Sequence, residues 1–163
     1  ARKILARIPG PGAGAGGACV LDHLGIAVRR IEDRLALYRD VLGLDLAGVE
    51  EVRGERVRLA ILPAGRTRIE LLEPLTEDSP IARFLRSHGE GIHHICFEVE
   101  DLDGMVDRFK RAGATPAGSP GAPGAEGSRI AFIHPRGVGG VLIELRQGPR
   151  AKQDLEGRPC RAE

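Results

Sequence analysis

Aromatic side chains are scarce in this chain: four Phe, one Tyr and no Trp among 163 residues. So small a set argues against recognition by base stacking or by an aromatic cage. Cysteine is equally sparse. Cys19, Cys96 and Cys160 are an odd number without a Cys-x-x-Cys spacing, which gives neither a disulfide framework nor a zinc knuckle and suits a reducing compartment. An excess of one charge is also missing, since 24 Lys and Arg face 23 Asp and Glu for a formal net charge of +1. Without a basic surplus to displace counterions, nucleic acid is not an expected partner. No run approaches the roughly 20 apolar residues that span a bilayer, so no membrane partner is expected either.

What is present in quantity is glycine, 23 residues of it, and ten of these fall in two short stretches. Gly10, Gly12, Gly14, Gly16 and Gly17 sit with Pro9 and Pro11 in a stretch without hydrophobic periodicity, so residues 1–20 read as a disordered leader. Gly113, Gly118, Gly121, Gly124 and Gly127 mark a helix end and a loop over 118–128. The polar segment 148–163 reads as a tail. The remainder, residues 21–147, is the right size for one domain.

That domain repeats itself. Residues 22–28 (Asp-His-Leu-Gly-Ile-Ala-Val) match residues 93–99 (His-His-Ile-Cys-Phe-Glu-Val), so that His94 lies 71 positions beyond His23. Both segments read as strands. A helix follows each: Ile31, Leu35, Tyr38, Val41 and Leu42 share one face ahead of Gly43, and Leu102, Met105, Val106 and Phe109 share another between an Asp101 N-cap and Gly113. Strands are expected at 44–52, 56–62 and 67–73, then at 129–134 and 140–146 with a weaker one near 114–117. Between the halves, Pro80 in a first turn and Ile81, Phe84 and Leu85 predict a short helix. The fold class is therefore α+β, two βαβββ modules: module one 21–74, a linker 75–91, and module two 92–147.

Equivalent positions in the two modules carry the same chemistry. His23 and His94 fall at one strand position, while Glu70 in Ile-Glu-Leu and Glu144 in Ile-Glu-Leu fall at another, 74 residues apart. A carboxylate between apolar neighbours in a strand costs several kcal/mol to bury unless it is paired or holds a cation. Two such carboxylates matched by two histidines predict a metal site of His23, Glu70, His94 and Glu144. Imidazole and carboxylate suit a divalent first-row ion such as Zn²⁺, Co²⁺, Ni²⁺, Mn²⁺ or iron. Four ligands on an octahedral ion leave two open positions, which implies catalysis. Arg68 shares the Glu70 face and reads as an ion-pair partner, and Cys96 reads as a small packing residue.

Five motifs carry a family resemblance over residues 21–147: Leu21-Asp-His-Leu-Gly-Ile-Ala-Val28, Thr67-Arg-Ile-Glu-Leu-Leu-Glu-Pro74, Asp78-Ser-Pro-Ile-Ala-Arg-Phe-Leu85, Gly91-Ile-His-His-Ile-Cys96 and His134-Pro-Arg-Gly-Val-Gly-Gly-Val-Leu-Ile-Glu-Leu145. The chain resembles the vicinal oxygen chelate superfamily and, within it, the methylmalonyl-CoA epimerases. The resemblance implies a cupped, half-open mixed sheet around the metal and an acyl-CoA substrate. It also implies Co²⁺ as the ion, a homodimer, and interconversion of (2R)- and (2S)-methylmalonyl-CoA through a metal-stabilised enolate. Glu144 is the expected base on one face of C2. The second base of the family maps to Leu59, which carries no proton, and leaves Glu70 or a metal-held water for the other face. Glu126 stands where relatives often place a histidine in the 118–128 loop. The expected location is the cytoplasm, or the mitochondrial matrix in a eukaryotic source. The rival functions are a lactoylglutathione lyase, with an extradiol dioxygenase further off, and a non-catalytic small-molecule binding protein of the same fold.

Overall fold

The structure is a computed structural model, and residues 19–124 and 127–148 are described. Most of the expected leader, the tail from residue 149 on, Cys160 and Glu126 lie outside the described residues. Among the described residues, eight strands pair in the order β2-β3-β4-β1-β5-β8-β7-β6. The chain divides into two compact units, one of residues 22–95 and one running from residue 96 together with residues 19–21. The division falls within β5 (Gly91–Glu98), so this strand belongs in part to each.

The first unit holds β1 (Val20–Ala27), β2 (Gly48–Val52), β3 (Val57–Ala64) and β4 (Thr67–Pro74). β2, β3 and β4 run antiparallel in turn, and β4 then pairs with β1 in parallel, so the sheet is mixed. The segment expected as a strand over 44–52 is extended only from Gly48. Helix α1 (Ile31–Ala36) lacks a side-chain N-cap of its own. Its first N–H is instead taken by the Glu73 carboxylate of β4, with Ile31 N donating to Oε2 at 2.7 Å.

The predicted α-helix through Leu42 does not continue as one. Leu37–Val41 winds as a π-helical turn, with Leu42 N–H reaching five residues back to the Leu37 carbonyl. The wider winding closes with Leu44 N–H on the Tyr38 carbonyl and Gly43 at φ +70°. Leu44 thereby enters the cluster of Val28, Ile31, Ala60, Leu62 and Leu71, while Leu37, Val41 and Leu42 stay exposed. The apolar period that reads as one helix face is thus split between core and surface.

Helix α2 (Pro80–His88) starts as predicted. Ser79 caps it by accepting from Ala82 N at 3.0 Å, and Pro80, which has no N–H to leave unsatisfied, takes the first turn. Ile81 and Leu85 bury against Ala27, Val57, Leu59 and Leu72.

The second unit repeats the plan. Helix α3 (Leu102–Arg111) is capped by Asp101, which accepts from Gly104 N at 3.0 Å, and ends at Gly113 with φ +86°. Leu102 and Val106 pack on Val99, Ala114, Ala131, Ile133 and Leu145. β6 (Pro116–Pro123) pairs with β7 (Arg129–Ile133), and β7 with β8 (Leu142–Gln147), all antiparallel. The expected loop over 118–128 is therefore corrected, because 118–123 continue a strand. Pro120 and Pro123 are tolerated because β6 is the outermost strand and needs donors on one side only. The glycines serve a break in register between Ala117 and Ala122, where Gly118 and Gly121 take positive φ.

Candidate metal centre

His23 sits on β1 and Glu70 on β4, in a parallel pair whose register sets His23 opposite Arg68 and Gly25 opposite Glu70. Alternation along each strand puts His23 with Gly25 on one face and Arg68 with Glu70 on the same face of the neighbouring strand. The blank at Gly25 is occupied from β5 by His94, whose ring nitrogens lie 2.6 and 2.7 Å from where a Cβ would be. His23 and His94 meet there edge to face, with Nε2 to Nε2 at 3.0 Å and ring centroids 5.1 Å apart. Glu70 Oε2 lies 3.5 Å from the same His23 Nε2. Within the first unit, the structure therefore brings together that unit's members of the set read from the sequence, His23, Glu70 and His94.

These spacings fit a shared ion. Donors about 2.1 Å from one centre are about 3.0 Å apart at a right angle and about 3.4 Å apart at the tetrahedral angle. The tautomers agree with this. His23 Nδ1 is 2.8 Å from the carboxylate of Asp22, which selects a proton on Nδ1 and leaves the Nε2 lone pair for a ligand. His94 Nδ1 is 2.9 Å from Nδ1 of His93, so its far nitrogen also has a partner that can set its tautomer. The His94 ring is available as a neutral base. Burial first, and the neighbouring His23 and His93 second, hold His94 well below the ordinary imidazole value, and burial takes His93 down to about 4. Neutral imidazole is the form that binds metal.

Behind the donors stands a carboxylate and guanidinium network that sequence reasoning found only in part. Arg68 donates from Nε to Glu70 Oε1 at 2.8 Å and lies 3.1 Å through Nη2 from Asp22 Oδ2. The expected Arg68 ion pair is thus present, and doubled. Asp22, 1% exposed, gave no signal in the sequence because the equivalent position of the second module carries His93 instead of a second carboxylate. Phe84 of α2, which in the sequence marks only the predicted short helix, abuts His93 edge-on at 5.0 Å between centroids.

Glu144 sits on β8 in the second unit, opposite Phe132 of β7 and buried between Ile143 and the core residue Leu145. Arg146, also buried, shares its strand face two residues along. Leu59 packs on Leu72 of β4 and in the Ile81 and Leu85 cluster. Cys96 is fully buried. Glu55, in the turn after β2, has its carboxyl raised by burial and secondarily by the charge on Glu70, although water still reaches the side chain and weakens the first effect.

The comparison with known proteins follows this geometry. The family model described as Glyoxalase/Bleomycin resistance protein/Dioxygenase superfamily matches residues 22–132. An ethylmalonyl-CoA/methylmalonyl-CoA epimerase of Cereibacter sphaeroides is 44% identical over 130 residues, which are 78% of this chain and 96% of that protein. The mitochondrial methylmalonyl-CoA epimerase of Mus musculus is 37% identical over 128 residues, 78% of this chain and 72% of its own. Among solved structures, a Streptomyces coelicolor methylmalonyl-CoA epimerase (S115T) in complex with 2-nitronate-propionyl-CoA superposes with a TM-score of 0.73 at 33% identity, covering 78% of this chain and 93% of that one. The paired histidines on β1 and β5, the glutamate on β4 and these similarities agree: the chain belongs to the methylmalonyl-CoA epimerase family of the glyoxalase, bleomycin resistance protein and dioxygenase superfamily.

Proposed function

We propose that the protein is an epimerase that interconverts (2R)- and (2S)-methylmalonyl-CoA at a divalent metal held by His23, Glu70, His94 and Glu144. The observation that carries this reading is the approach of His94 Nε2 and Glu70 Oε2 to one nitrogen, His23 Nε2, at 3.0 and 3.5 Å. Residues 21–147 act as one domain in this reading, each module contributing one imidazole and one carboxylate. A divalent ion bound there supplies a Lewis acid that draws charge from the thioester oxygen and acidifies the C2–H bond.

The chain's own residues then move the proton. Glu144 accepts it from C2 on one face: the C–H bond breaks, its electron pair stays with the substrate, and a carboxylate oxygen becomes a carboxylic acid. The proton that reaches the opposite face of C2 comes from an acid that starts protonated, either Glu70 with Oε2 released from the ion or a water. Its O–H bond breaks as the new C–H bond forms, and the reverse reaction exchanges the two roles. Leu59 contributes no proton. His23 and His94 stay neutral, held by Asp22 and His93. Co²⁺ is the proposed ion, ahead of Zn²⁺, Ni²⁺ and Mn²⁺, and the working form is a homodimer. The proposed location is the cytoplasm, or the mitochondrial matrix in a eukaryotic source.

The test couples (2S)-methylmalonyl-CoA to a (2R)-specific mutase, using protein purified without chelator and assayed with and without added Co²⁺. We expect turnover that rises with the metal and no reaction with the hemithioacetal of methylglyoxal and glutathione. Turnover of the hemithioacetal instead would make the protein a lactoylglutathione lyase. Absence of any divalent metal, with no rescue by Co²⁺, would make it a binding protein.

A further inference from the structure

We infer that Arg68 is a positioning residue that, by tying Glu70 Oε1 and Asp22 Oδ2 to one guanidinium, turns Glu70 Oε2 and His23 Nε2 together toward the metal. The inference rests on the proposed metal site and concerns how this chain builds it.

The geometry separates two oxygens of one carboxylate. Oε1 of Glu70 accepts from Arg68 Nε at 2.8 Å, while Oε2 is the oxygen 3.5 Å from His23 Nε2. A carboxylate free to rotate could offer an ion both oxygens and occupy two positions. One whose Oε1 is committed to a guanidinium offers one, and keeps a position for substrate. The other arm of the fork reaches Asp22 Oδ2 at 3.1 Å, the same oxygen that takes the His23 Nδ1 proton at 2.8 Å. Orientation of a carboxylate ligand and tautomer of an imidazole ligand are thus set by one side chain.

The arrangement suits arginine alone. Its planar fork presents separate N–H groups in fixed directions, whereas a lysine ammonium is a point charge on a flexible stem. The Arg68 side chain is 12% exposed and those of Asp22 and Glu70 are 0% and 10% exposed, so solvent does little to loosen the contacts. Partners of this kind behind metal ligands are typically worth about 10- to 100-fold in affinity.

The experiment measures Co²⁺ binding by calorimetry and the visible absorption of the Co²⁺ form for the parent, Arg68→Lys, Arg68→Met, Asp22→Asn and the Arg68→Met/Asp22→Asn double variant. Circular dichroism of the metal-free proteins confirms folding. Arg68→Lys keeps the charge and therefore serves if Arg68→Met fails to fold. We expect Arg68→Lys to lose about 10-fold or more in Co²⁺ affinity, with an altered spectrum that reports changed coordination. The double variant should lose no more than the worse single one, because the two residues act as a unit. A folded Arg68→Lys with the parent's affinity and spectrum would overturn the inference while leaving the metal site standing. A parent that binds no Co²⁺ would instead overturn the site itself.

Discussion

Gly25 and His94 share one volume: the ring of His94 occupies the space that a side chain at Gly25 would fill, with Nδ1 2.6 Å from the missing Cβ. The glycine is required by the approach of a ligand from another strand, since its own backbone makes no demand for positive φ. Gly25→Ala should therefore fold, because the clashing atoms belong to a side chain that can swing. It should do so at the cost of moving His94 away from His23. We expect a loss of at least about 10-fold in metal affinity with little change in the unfolding midpoint of the metal-free protein. Unchanged affinity, measured by calorimetry, would show that the ring is not held where the ligand must stand.

The buried imidazoles make stability depend on pH in a defined direction. Both His93 and His94 are held below the ordinary value of 6.5, His93 at about 4, chiefly by burial. Between about 4 and 6.5 the unfolded chain therefore binds protons that the folded protein refuses, and stability rises with pH in that window. The metal-free protein should lose stability as pH falls from 7 toward 4.5, read as a falling midpoint in urea. His93→Gln should flatten that slope. A midpoint that is constant across the window would contradict the burial of these rings.

Much of the site was legible because it is duplicated. His23 with His94 and Glu70 with Glu144 stand out by equivalence, and the caps Asp101, Gly43 and Gly113 follow from rules that depend only on neighbouring residues. What was not legible depends on contacts distant in sequence and present once. Asp22 supports His23, His93 supports His94, and Gly25 makes room for His94, but the equivalent positions carry different residues, Asp22 against His93 and Gly25 against Cys96, so identity between the modules does not mark them. The π-helical turn at Leu37–Val41 was hidden because its apolar spacing is that of an ordinary helix. β6 was hidden because Pro120 and Pro123 read as a loop unless the strand is known to be outermost.

Helix α2 connects fold stability to the centre. Ser79 is fully buried and its hydroxyl accepts from Ala82 N, while Phe84 on the same helix abuts His93. Ser79→Ala removes the cap and should cost about 1 kcal/mol, with an upper value of about 2 kcal/mol. Denaturant titration checks the cost. Metal affinity should fall less than in Gly25→Ala, because no ligand or direct ligand partner is altered. A larger effect on affinity than on stability would mean that α2 controls His93 more tightly than a 5.0 Å edge contact implies.

The two proposed bases can be told apart by which epimer each one serves. In a two-base inversion each carboxylate removes the C2 proton of one epimer, and the conjugate acid of the other carboxylate protonates the opposite face. Glu144→Gln and Glu70→Gln should each lower epimerisation by about 10²-fold or more, the range typical of losing a general base. In D₂O, however, each variant should still exchange the C2 hydrogen of the epimer whose proton the surviving carboxylate can reach, and do so with retention. The epimer that exchanges should be opposite in the two variants. Metal content is measured alongside, since both residues are proposed ligands. A variant that keeps its metal and epimerises at the parent's rate loses its place as a base. If either variant keeps its metal yet exchanges neither epimer, the two-base assignment fails, because the carboxylate left in place should still have removed one epimer's proton.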